Sequence, residues 1–343
     1  MAAIWFRSVR HPSFYENISA LALTILSSAA TADVSRSESA LIETGTTVVA
    51  SASSQGEPEG AGAVAFDITA SLPVHGGQFS FLIEAETSPY FDNVHQVFPN
   101  ADTDHLQVAE VHYDFVTDSG EWSIGLIDSK AYIDISDIAN DDKKQFSSSV
   151  FANNPTIGIP EPGLGLSWRL PLNENRPSYS ALIAASDGSG AFVSIEAWQA
   201  FANTTIRLGM WGSSANQMTS MSQHSVDIDY GLYTSIDGSL ALLKWNLRLG
   251  LAIPNLGASK SFIGIANEIP FAGNSLGIAF GRSKQGDHWS SGGPDEVKHV
   301  ELYYRYELSN NLSITPCIQY RKTLGFDDNL RLLSAGVRFR MVI

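Results

Sequence analysis

Short runs of alternating apolar and polar residues follow one another along almost the whole chain. One phase of the clearest run, residues 242–251, contains Leu243, Trp245, Leu247, Leu249 and Leu251. The other phase contains Lys244, Asn246, Arg248 and Gly250. Because successive side chains of a strand point to opposite faces, the run predicts a strand with one apolar and one charged face. At a helical period the basic residues would scatter around the apolar face, so we interpret the run as a strand.

The same pattern predicts sixteen strands, and the joints between them alternate in length. The expected strands are approximately 40–53, 62–72, 77–87, 105–116, 120–128, 163–172, 178–185, 191–200, 204–212, 225–236, 240–252, 260–266, 274–283, 299–308, 311–321 and 331–342. Joints after even-numbered strands are short and rich in Gly, Asn and Asp, as at Pro73–Gly76 and Asp237-Gly238. Most joints after odd-numbered strands are longer, and the longest covers residues 129–162. This layout predicts an all-β fold, a 16-stranded antiparallel transmembrane β-barrel with both chain ends on the short-turn, periplasmic rim.

The chemistry of the two phases agrees with a wall that meets lipid outside and water inside. The outward phase of the fourteenth strand contains Val300, Leu302, Tyr304, Tyr306 and Leu308, and its inward phase contains Glu301, Tyr303, Arg305 and Glu307. Trp122, Trp168 and Trp245 lie on the apolar phase near the short-turn ends, where an aromatic girdle is expected. The alternative interpretation makes these tryptophans core residues of a soluble β-sandwich.

Composition and charge narrow the class further. Of the 343 residues, 44% are hydrophobic and only 17% are charged, which is a low charged fraction for a soluble protein. Beyond the N-terminus no run approaches the ~20 apolar residues of a spanning helix, so a helical membrane protein is not expected. The formal net charge of −15 argues against nucleic acid or anionic lipid as a partner.

The N-terminus has the three parts of a secretory signal in the right order. Arg7 and Arg10 precede an apolar stretch at 18–29, and Ala30-Thr31-Ala32 offers a cleavage site before Asp33. We therefore predict a signal peptide at residues 1–32 and a single barrel domain at residues 33–343. The alternative is that these residues form a helix of the mature fold.

No catalytic constellation accompanies the strands. Cys317 is the only cysteine, so no internal disulfide can form. The chain has no Gly-x-Ser-x-Gly, His-Glu-x-x-His or phosphate-loop motif. His112 alternates with Glu110 and Asp114, but one histidine between carboxylates is weak evidence for a metal. We predict no cofactor and no enzymatic activity.

Two segments have combinations of residues that are more specific than the strand pattern. The first begins with Leu126-Ile127-Asp128-Ser129, passes through Ala139-Asn140-Asp141-Asp142 and Gln145-Phe146, and ends at Asn153-Asn154-Pro155. The second contains Glu301-Leu302-Tyr303-Tyr304-Arg305, Pro316-Cys317-Ile318-Gln319-Tyr320 and Gly336-Val337-Arg338-Phe339. Together they resemble the OprB-type carbohydrate-selective porins. The chain departs from that family in being short and in ending on Ile343 where an aromatic residue is usual.

The resemblance implies an outer-membrane porin through which small hydrophilic solutes, chiefly carbohydrates, diffuse passively. It also implies that the loop at 129–162 folds into the lumen as a constriction, and that the protein forms a homotrimer as related porins often do. Small sugars and outer-membrane lipid are then the expected partners, and nucleic acid is not. Three alternatives remain open: a general porin without sugar selectivity, a barrel or secreted hydrolase with paired carboxylates, and a secreted glycan-binding sandwich.

The candidate pore-lining residues are the inward polar residues of the strands and the charged residues of the long loop. They are Glu84, Glu110, Asp128, Asp134, Asp141, Arg169, Arg207, Lys244, Arg248, Glu301, Arg305, Gln319 and Arg338. In a ring of sixteen the third strand lies opposite the eleventh, so we expect Glu84 to face Lys244 and Arg248 across the channel. Such opposed charges would orient polar solutes, whereas the bland alternative is that the charges only solvate the lumen and pair with one another. Two lumen aromatics, Trp211 and Tyr303, are candidates for stacking on sugar rings.

Overall fold

The computed structural model describes residues 41–53, 60–74, 76–87, 105–141, 143–170, 176–186, 190–214, 228–253, 259–285, 295–324 and 331–342. The predicted signal peptide lies outside these residues. The strands are β1 Leu41–Ser53, β2 Gly60–Val74, β3 Gly77–Thr87, β4 His105–Thr117, β5 Gly120–Ile127, β6 Gly163–Arg169, β7 Ser178–Ser186, β8 Gly190–Phe201, β9 Thr204–Ser213, β10 Asp229–Leu240, β11 Leu243–Ile253, β12 Ser261–Phe271, β13 Asn274–Lys284, β14 Glu296–Ser309, β15 Leu312–Leu324 and β16 Arg331–Val342. A 3-10 turn at Ser129–Ala131 and one short helix, α1 at Ser149–Ala152, lie in the joint between β5 and β6.

The sheet closes on itself. Each strand pairs with its sequence neighbours, and β1 pairs antiparallel with β16 from Gly45↔Val342 to Ser53↔Ser334. The sixteen predicted strands and their antiparallel order are therefore confirmed. Closure leaves the sheet without a free edge strand, which is the condition for crossing a lipid bilayer with strands.

One predicted turn is wrong. Asp237 and Gly238 lie inside β10, and the tight turn follows at Ala241-Leu242, where Ala241 has φ 53. The alternation continues through Asp237, which is 8% exposed and points inward. The Asp-Gly dipeptide is therefore part of the strand and does not form the turn. The twelfth strand likewise extends past the predicted end at Ala266 to Phe271, and its turn is Ala272-Gly273 with φ 48 and 82.

The two faces of the wall have the predicted chemistry. Leu302, Tyr306 and Leu308 are exposed on the outside of the isolated barrel, whereas Glu301 and Tyr303 on the inward phase are buried. At the short-turn rim an outward row of neighbouring aromatic rings, some stacked and some tilted, runs across β3–β6 through Phe79, Tyr113, Phe115, Trp122 and Trp168. The indole N–H groups of Trp122 and Trp168 donate to Thr117 Oγ1 and to the Ser119 carbonyl in the adjacent turn, at 3.1 and 2.8 Å. Rings in the apolar band with their polar ends toward water are typical of a membrane interface.

Among the residues that the structure describes, none belongs to a helix that is long and apolar enough to cross a membrane.

Candidate functional site

The long joint between β5 and β6, residues 128–162, lies against inward-facing side chains of the wall. Its first attachment is an ion pair between Asp134 and Arg248 of β11, with Nε and Oδ2 2.8 Å apart. Arg248 also donates to the main-chain carbonyls of Asp134, at 2.7 Å, and Phe151. Both side chains are only 2% exposed. Arg248 therefore binds the loop and does not meet solvent.

The environment of Asp134 disfavours its charge. Burial raises the pKa of this carboxyl to about 7, and the attraction to Arg248 opposes the shift without cancelling it. Glu196 and Asp237 raise the pKa further, because they place like charges near the same group. The main-chain N–H of Asp134 donates to Glu196 Oε2 at 3.1 Å, and Asn154 N donates to Asp134 Oδ2 at the same distance. The carboxylate thus has two partners, Arg248 Nε and Asn154 N, both at Oδ2, while burial keeps its pKa above the ordinary range of aspartic acid.

The second attachment is centred on Glu301 of β14, which is fully buried. Its carboxylate accepts hydrogen bonds from the N–H and the hydroxyl of Ser147, both at 2.8 Å, and from Ser148 N at 2.9 Å. Gln319 of β15 donates to Ser147 Oγ at 2.6 Å, and Arg338 of β16 donates to the Gln145 carbonyl. A charged acceptor with three donors makes a strong attachment.

Two smaller attachments connect the loop to other parts of the wall. Lys143 Nζ lies 2.8 Å from Glu84 Oε1 of β3 and 3.5 Å from Asp67 Oδ1 of β2. Ser136 Oγ donates to Asp237 Oδ1 at 2.5 Å, and Asp237 also pairs with Arg207 of β9. The loop therefore contacts strands on both sides of the ring.

Two apolar clusters fill the space between loop and wall. One contains the loop residues Ile133 and Ile157 with Leu182, Phe192, Trp211 and Tyr233 of the strands, and the other contains Ile138, Phe146 and Phe151 with Ala266, Ala279 and Tyr303. Trp211 and Tyr303 are 4% and 1% exposed. The predicted stacking of these two rings on sugars is therefore wrong for this conformation, because the loop already covers both of them.

The strands β4–β6 border an open cavity of about 320 Å³ inside the barrel. Its lining combines strand residues with the start of the loop: Glu110, His112, Asp114, Glu121, Ser123, Ala131, Tyr132, Ser167 and Arg169. Arg169 lies over the ring of Trp198, with its guanidinium carbon 5.8 Å from the ring centroid. Carboxylates, hydroxyls and one guanidinium thus converge on a space large enough for a small polar solute.

The loop side of this cavity presents a neutral phenol. Burial raises the pKa of Tyr132 to about 12, so its hydroxyl stays protonated and can donate a hydrogen bond. The side chain of the neighbouring Asp128 accepts from Lys130 N at 3.0 Å and so caps the N-terminus of the 3-10 turn. Burial raises the pKa of Asp128, and the Lys130 charge opposes that shift.

The structure divides the predicted pore-lining residues into groups with different surroundings. Glu110 and Arg169 line the cavity, and Asp128 lies beside it. Five of the predicted residues lie between loop and wall, where a solute cannot reach them. They are Asp134, Arg248, Glu301, Gln319 and Arg338. Glu84 contacts Lys143 and Arg207 contacts Asp237, while Arg305 donates to the Lys144 carbonyl at 2.9 Å. Asp141 accepts from Lys143 N and Lys144 N within its own turn, and Lys244 is exposed near the short-turn end of β11.

These positions change the predicted electrostatics of the channel. Glu84 does not face Arg248 across open water, because loop residues supply a partner to each of them. The open charge is instead concentrated at the cavity, where three carboxylates, Glu110, Asp114 and Glu121, accompany His112 and Arg169. His112 Nε2 lies 3.2 Å from Asp114 Oδ2, and no cluster of three potential metal ligands with suitable geometry occurs in the described part of the chain.

Sequence reasoning missed several residues that hold the loop. Glu196 lies on the inward phase of β8, so its orientation was available from the alternation, and Asp237 was assigned to a turn. Ser147 and Ser148 carry no signal in the sequence, because their partner Glu301 lies more than 150 positions away: the separation from Ser147 is 154 residues.

Comparisons with known proteins agree with the barrel fold. The model of the family "Carbohydrate-selective porin, OprB family" matches residues 178–342. Among solved structures, Pseudomonas putida OprB superposes with a TM-score of 0.67 at 12% identity, covering 89% of this chain and 94% of the other. A loop-deletion mutant of Vibrio cholerae OmpT gives 0.59 at 8% identity, covering 89% and 99%. Acinetobacter baumannii DcaP, an outer membrane channel, gives 0.58 at 10% identity, covering 89% and 97%.

No curated relative matches the chain. The predicted resemblance is confirmed for the C-terminal block, whereas the first resembling segment, residues 126–155, lies outside the matched range. The structural likeness extends over the whole barrel at low identity, so it establishes the fold.

Proposed function

We propose that this chain is an outer-membrane porin of the OprB type, that small hydrophilic solutes cross it by passive diffusion, and that carbohydrates are the preferred class. The proposed route runs between the loop at 128–162 and the wall formed by β4–β6. The single observation that carries the proposal is the polar cavity of about 320 Å³ on that side of the lumen.

The proposal makes the loop a constriction. Its attachments to β11 and β14 involve buried charges, and its apolar residues pack against inward side chains of the wall. A segment held in this way narrows a sixteen-stranded barrel, whose lumen is otherwise wide enough for an aqueous channel. Diameter and lining groups at the narrowest ring then decide which solutes pass.

Two observations support carbohydrates. The family match is to carbohydrate-selective porins. The cavity also offers acceptors at Glu110, Asp114 and Glu121 and donors at Arg169 and Tyr132, and a sugar can exchange hydrogen bonds with both kinds of group. Moving a neutral polyol from water to such a lining costs little free energy, because each hydroxyl exchanges its hydrogen bond to water for one to the protein.

A planar bilayer tests the proposal. We expect stepwise conductance from the purified protein, and a reversible decrease of the current when a monosaccharide is added. Glu110→Gln combined with Asp114→Asn should weaken this block several-fold. Glu307→Gln, which removes a carboxylate near the short-turn rim, should leave it unchanged.

Each result has a defined meaning. Conductance without sugar block would support a general porin and contradict carbohydrate preference. An absence of conductance from correctly folded protein would contradict the channel itself and would favour a hydrolase or a closed barrel.

We also propose, as the resemblance implies, that the protein is exported with a cleaved signal peptide and that it assembles as a homotrimer. Cleavage after Ala32 would give a mature chain that begins at Asp33, which N-terminal sequencing of the outer-membrane protein can test. A homotrimer would have three times the protomer mass by light scattering in detergent, and a monomeric mass would contradict it.

A further inference from the structure

The outside of the barrel has an uneven distribution of basic residues. In the described strands, outward-facing Lys and Arg side chains occur only on β13–β16, at the ends that lead into the long loops. They are Arg282, Lys284, Lys298, Lys322 and Arg331. The other basic residues of the described strands, such as Arg207, Arg248 and Arg338, lie on the inward phase. In a chain with a net charge of −15, this local excess of positive charge is unexpected.

Four of these residues form one continuous row across neighbouring strands. The sheet register pairs Arg282 with Lys298, Lys298 with Lys322, and Lys322 with Arg331. Lys284 lies one outward position closer to the loops. Because directly paired residues of adjacent strands have Cβ atoms about 4.5–5.5 Å apart, the row is a compact band of like charge.

Among the residues that the structure describes, one carboxylate lies in the band: Glu296, which faces both Arg282 and Lys298. Its Oε1 lies 3.6 Å from Lys298 Nζ. The side chains of Arg282 and Lys298 remain 53% and 48% exposed, so this carboxylate does not cover them. Within the described strands, five cations accompany this one anion, which leaves an excess of positive charge.

The band lies at the depth of lipid headgroups. On β14 the outward positions from Val300 to Leu308 are apolar or aromatic, and Lys298 comes next toward the loops. Eight residue steps at about 3.4 Å, on a strand tilted by about 40°, cover about 21 Å of membrane depth. The apolar band of such barrels is ~25 Å tall, so Lys298 marks its boundary. On β16, Arg331 has the same position above Leu333, Ala335 and Val337.

An apolar recess adjoins the band. A shallow cavity of about 320 Å³ on the outer surface is lined by Leu249, Leu251 and Ile263 and, on the adjacent strand β13, by Arg282 and Lys284, with Arg282 paired directly with Ile263. Basic groups over an apolar hollow match an amphiphile whose anionic head meets the cations and whose hydrocarbon follows the wall.

We propose that the band of Arg282, Lys284, Lys298, Lys322 and Arg331 is a binding site for the phosphate groups of an anionic glycolipid in the outer leaflet. Guanidinium groups bind phosphate oxygens in a bidentate manner, and lysine ammonium groups add charge without strict geometry. The long-loop rim faces outward in barrels of this kind, so the ligand is a lipid of the external leaflet. A second copy of the same chain would bring like charges together and is a poorer fit.

Binding of bis-phosphorylated lipid A to the purified barrel in a non-ionic detergent tests the proposal. Measured by fluorescence anisotropy of a labelled lipid, Lys298→Gln should weaken binding about fivefold and the triple variant Lys298→Gln, Lys322→Gln, Arg331→Gln about a hundredfold. The matched control, Arg176→Gln, removes one exposed charge near the short-turn rim and should bind like wild type. Added salt should weaken wild-type binding more than that of the triple variant.

Three results would overturn the proposal. Equal binding by the folded triple variant would show that the band is not the site, and equal binding of dephosphorylated lipid A would show that the phosphates are not recognised. Displacement of lipid A by inorganic phosphate at equal concentration would make this a free-anion site. Variants are checked by heat-modifiable electrophoretic mobility, and if the triple variant fails to fold, the single variant and the dephosphorylated lipid still decide.

Discussion

At the scale of single residues, the interior of this barrel is organised by charges that are inaccessible to solvent. Arg248 and Glu301 point inward as the alternation of their strands predicts, yet they are only 2% and 0% exposed because the loop covers them. Arg248 donates to two main-chain carbonyls of the loop, and Glu301 accepts from two of its main-chain N–H groups. A buried ion that lost its partners would be costly, so these residues favour the attached conformation of the loop.

Substitution of Arg248 should release one end of the loop. Arg248→Met leaves Asp134 buried without its ion-pair partner, and removal of one member of a buried pair typically costs about 3–5 kcal/mol. We expect larger and noisier single-channel conductance, and faster trypsin cleavage at Lys143 and Lys144. Arg176→Gln serves as the control. Wild-type conductance and cleavage in the Met variant would contradict this role of Arg248.

The attachment at Asp134 should depend on pH. The pKa of this carboxyl in the folded loop is about 7, and a solvated aspartic acid has a pKa of about 3.9. The attached loop therefore binds the proton more tightly, and this contribution is complete below about pH 4 and is lost as the pH rises through about 7. Trypsin cleavage of the loop, measured relative to cleavage of a small reference substrate at each pH, should accelerate over that range in wild type, and Asp134→Asn should weaken that dependence. An identical pH profile in the Asn variant would be evidence against it.

At the scale of elements, a glycine of the wall lets the loop pack directly on β11 at one of their contacts. A Cβ at Gly250 of β11 would come within 2.0 Å of Thr156 Oγ1 and 2.7 Å of Asn154 Oδ1. Asn154 Nδ2 donates to the Leu249 carbonyl at 3.1 Å, so loop and strand are in hydrogen-bond contact at this point. The alternation predicts that position 250 faces inward, but not that another segment lies directly on it.

An alanine at this glycine should therefore displace the loop. Gly250→Ala forces residues 154–156 away from β11, and overpacking of this kind costs about 1–3 kcal/mol. The measurement is single-channel conductance with its open-channel noise, both of which should increase. Gly212→Ala is the matched control, because the nearest atom to its added Cβ is 3.8 Å away. Equal behaviour of the two variants would rule out close packing at Gly250.

At the scale of the whole molecule, charge is sorted between the two faces of one closed sheet. The formal charge of −15 predicts repulsion of anionic lipid, but that total is an average over surfaces that do not meet the same solvent. Carboxylates dominate the open cavity inside, at Glu110, Asp114 and Glu121, and basic residues form the outward band on β13–β16. Net charge describes the barrel interior better than it describes the outer surface.

The acidic cavity predicts that small cations pass more readily than anions. In a bilayer with a KCl gradient, the reversal potential should have the sign of K⁺ preference, since like charges on the wall exclude Cl⁻. Neutralising the cavity with Glu110→Gln and Asp114→Asn should move the potential toward zero. Glu307→Gln should move it less. Anion preference in wild type would contradict the assignment of this cavity to the conducting route.

The period of two along the chain was enough to determine the number of strands, their order, the inner and outer face of each, and the rim on which the long loops lie. It could do so because every strand of a closed antiparallel barrel pairs with its sequence neighbours, and β1 with β16 follows from closure. Only the tertiary structure decided which inward charges are covered, since Arg248 meets Asp134 across 114 residues and Glu301 meets Ser147 across 154. The basic band likewise depends on strand register, because residues such as Lys298, Lys322 and Arg331 become neighbours only when hydrogen bonds align their strands.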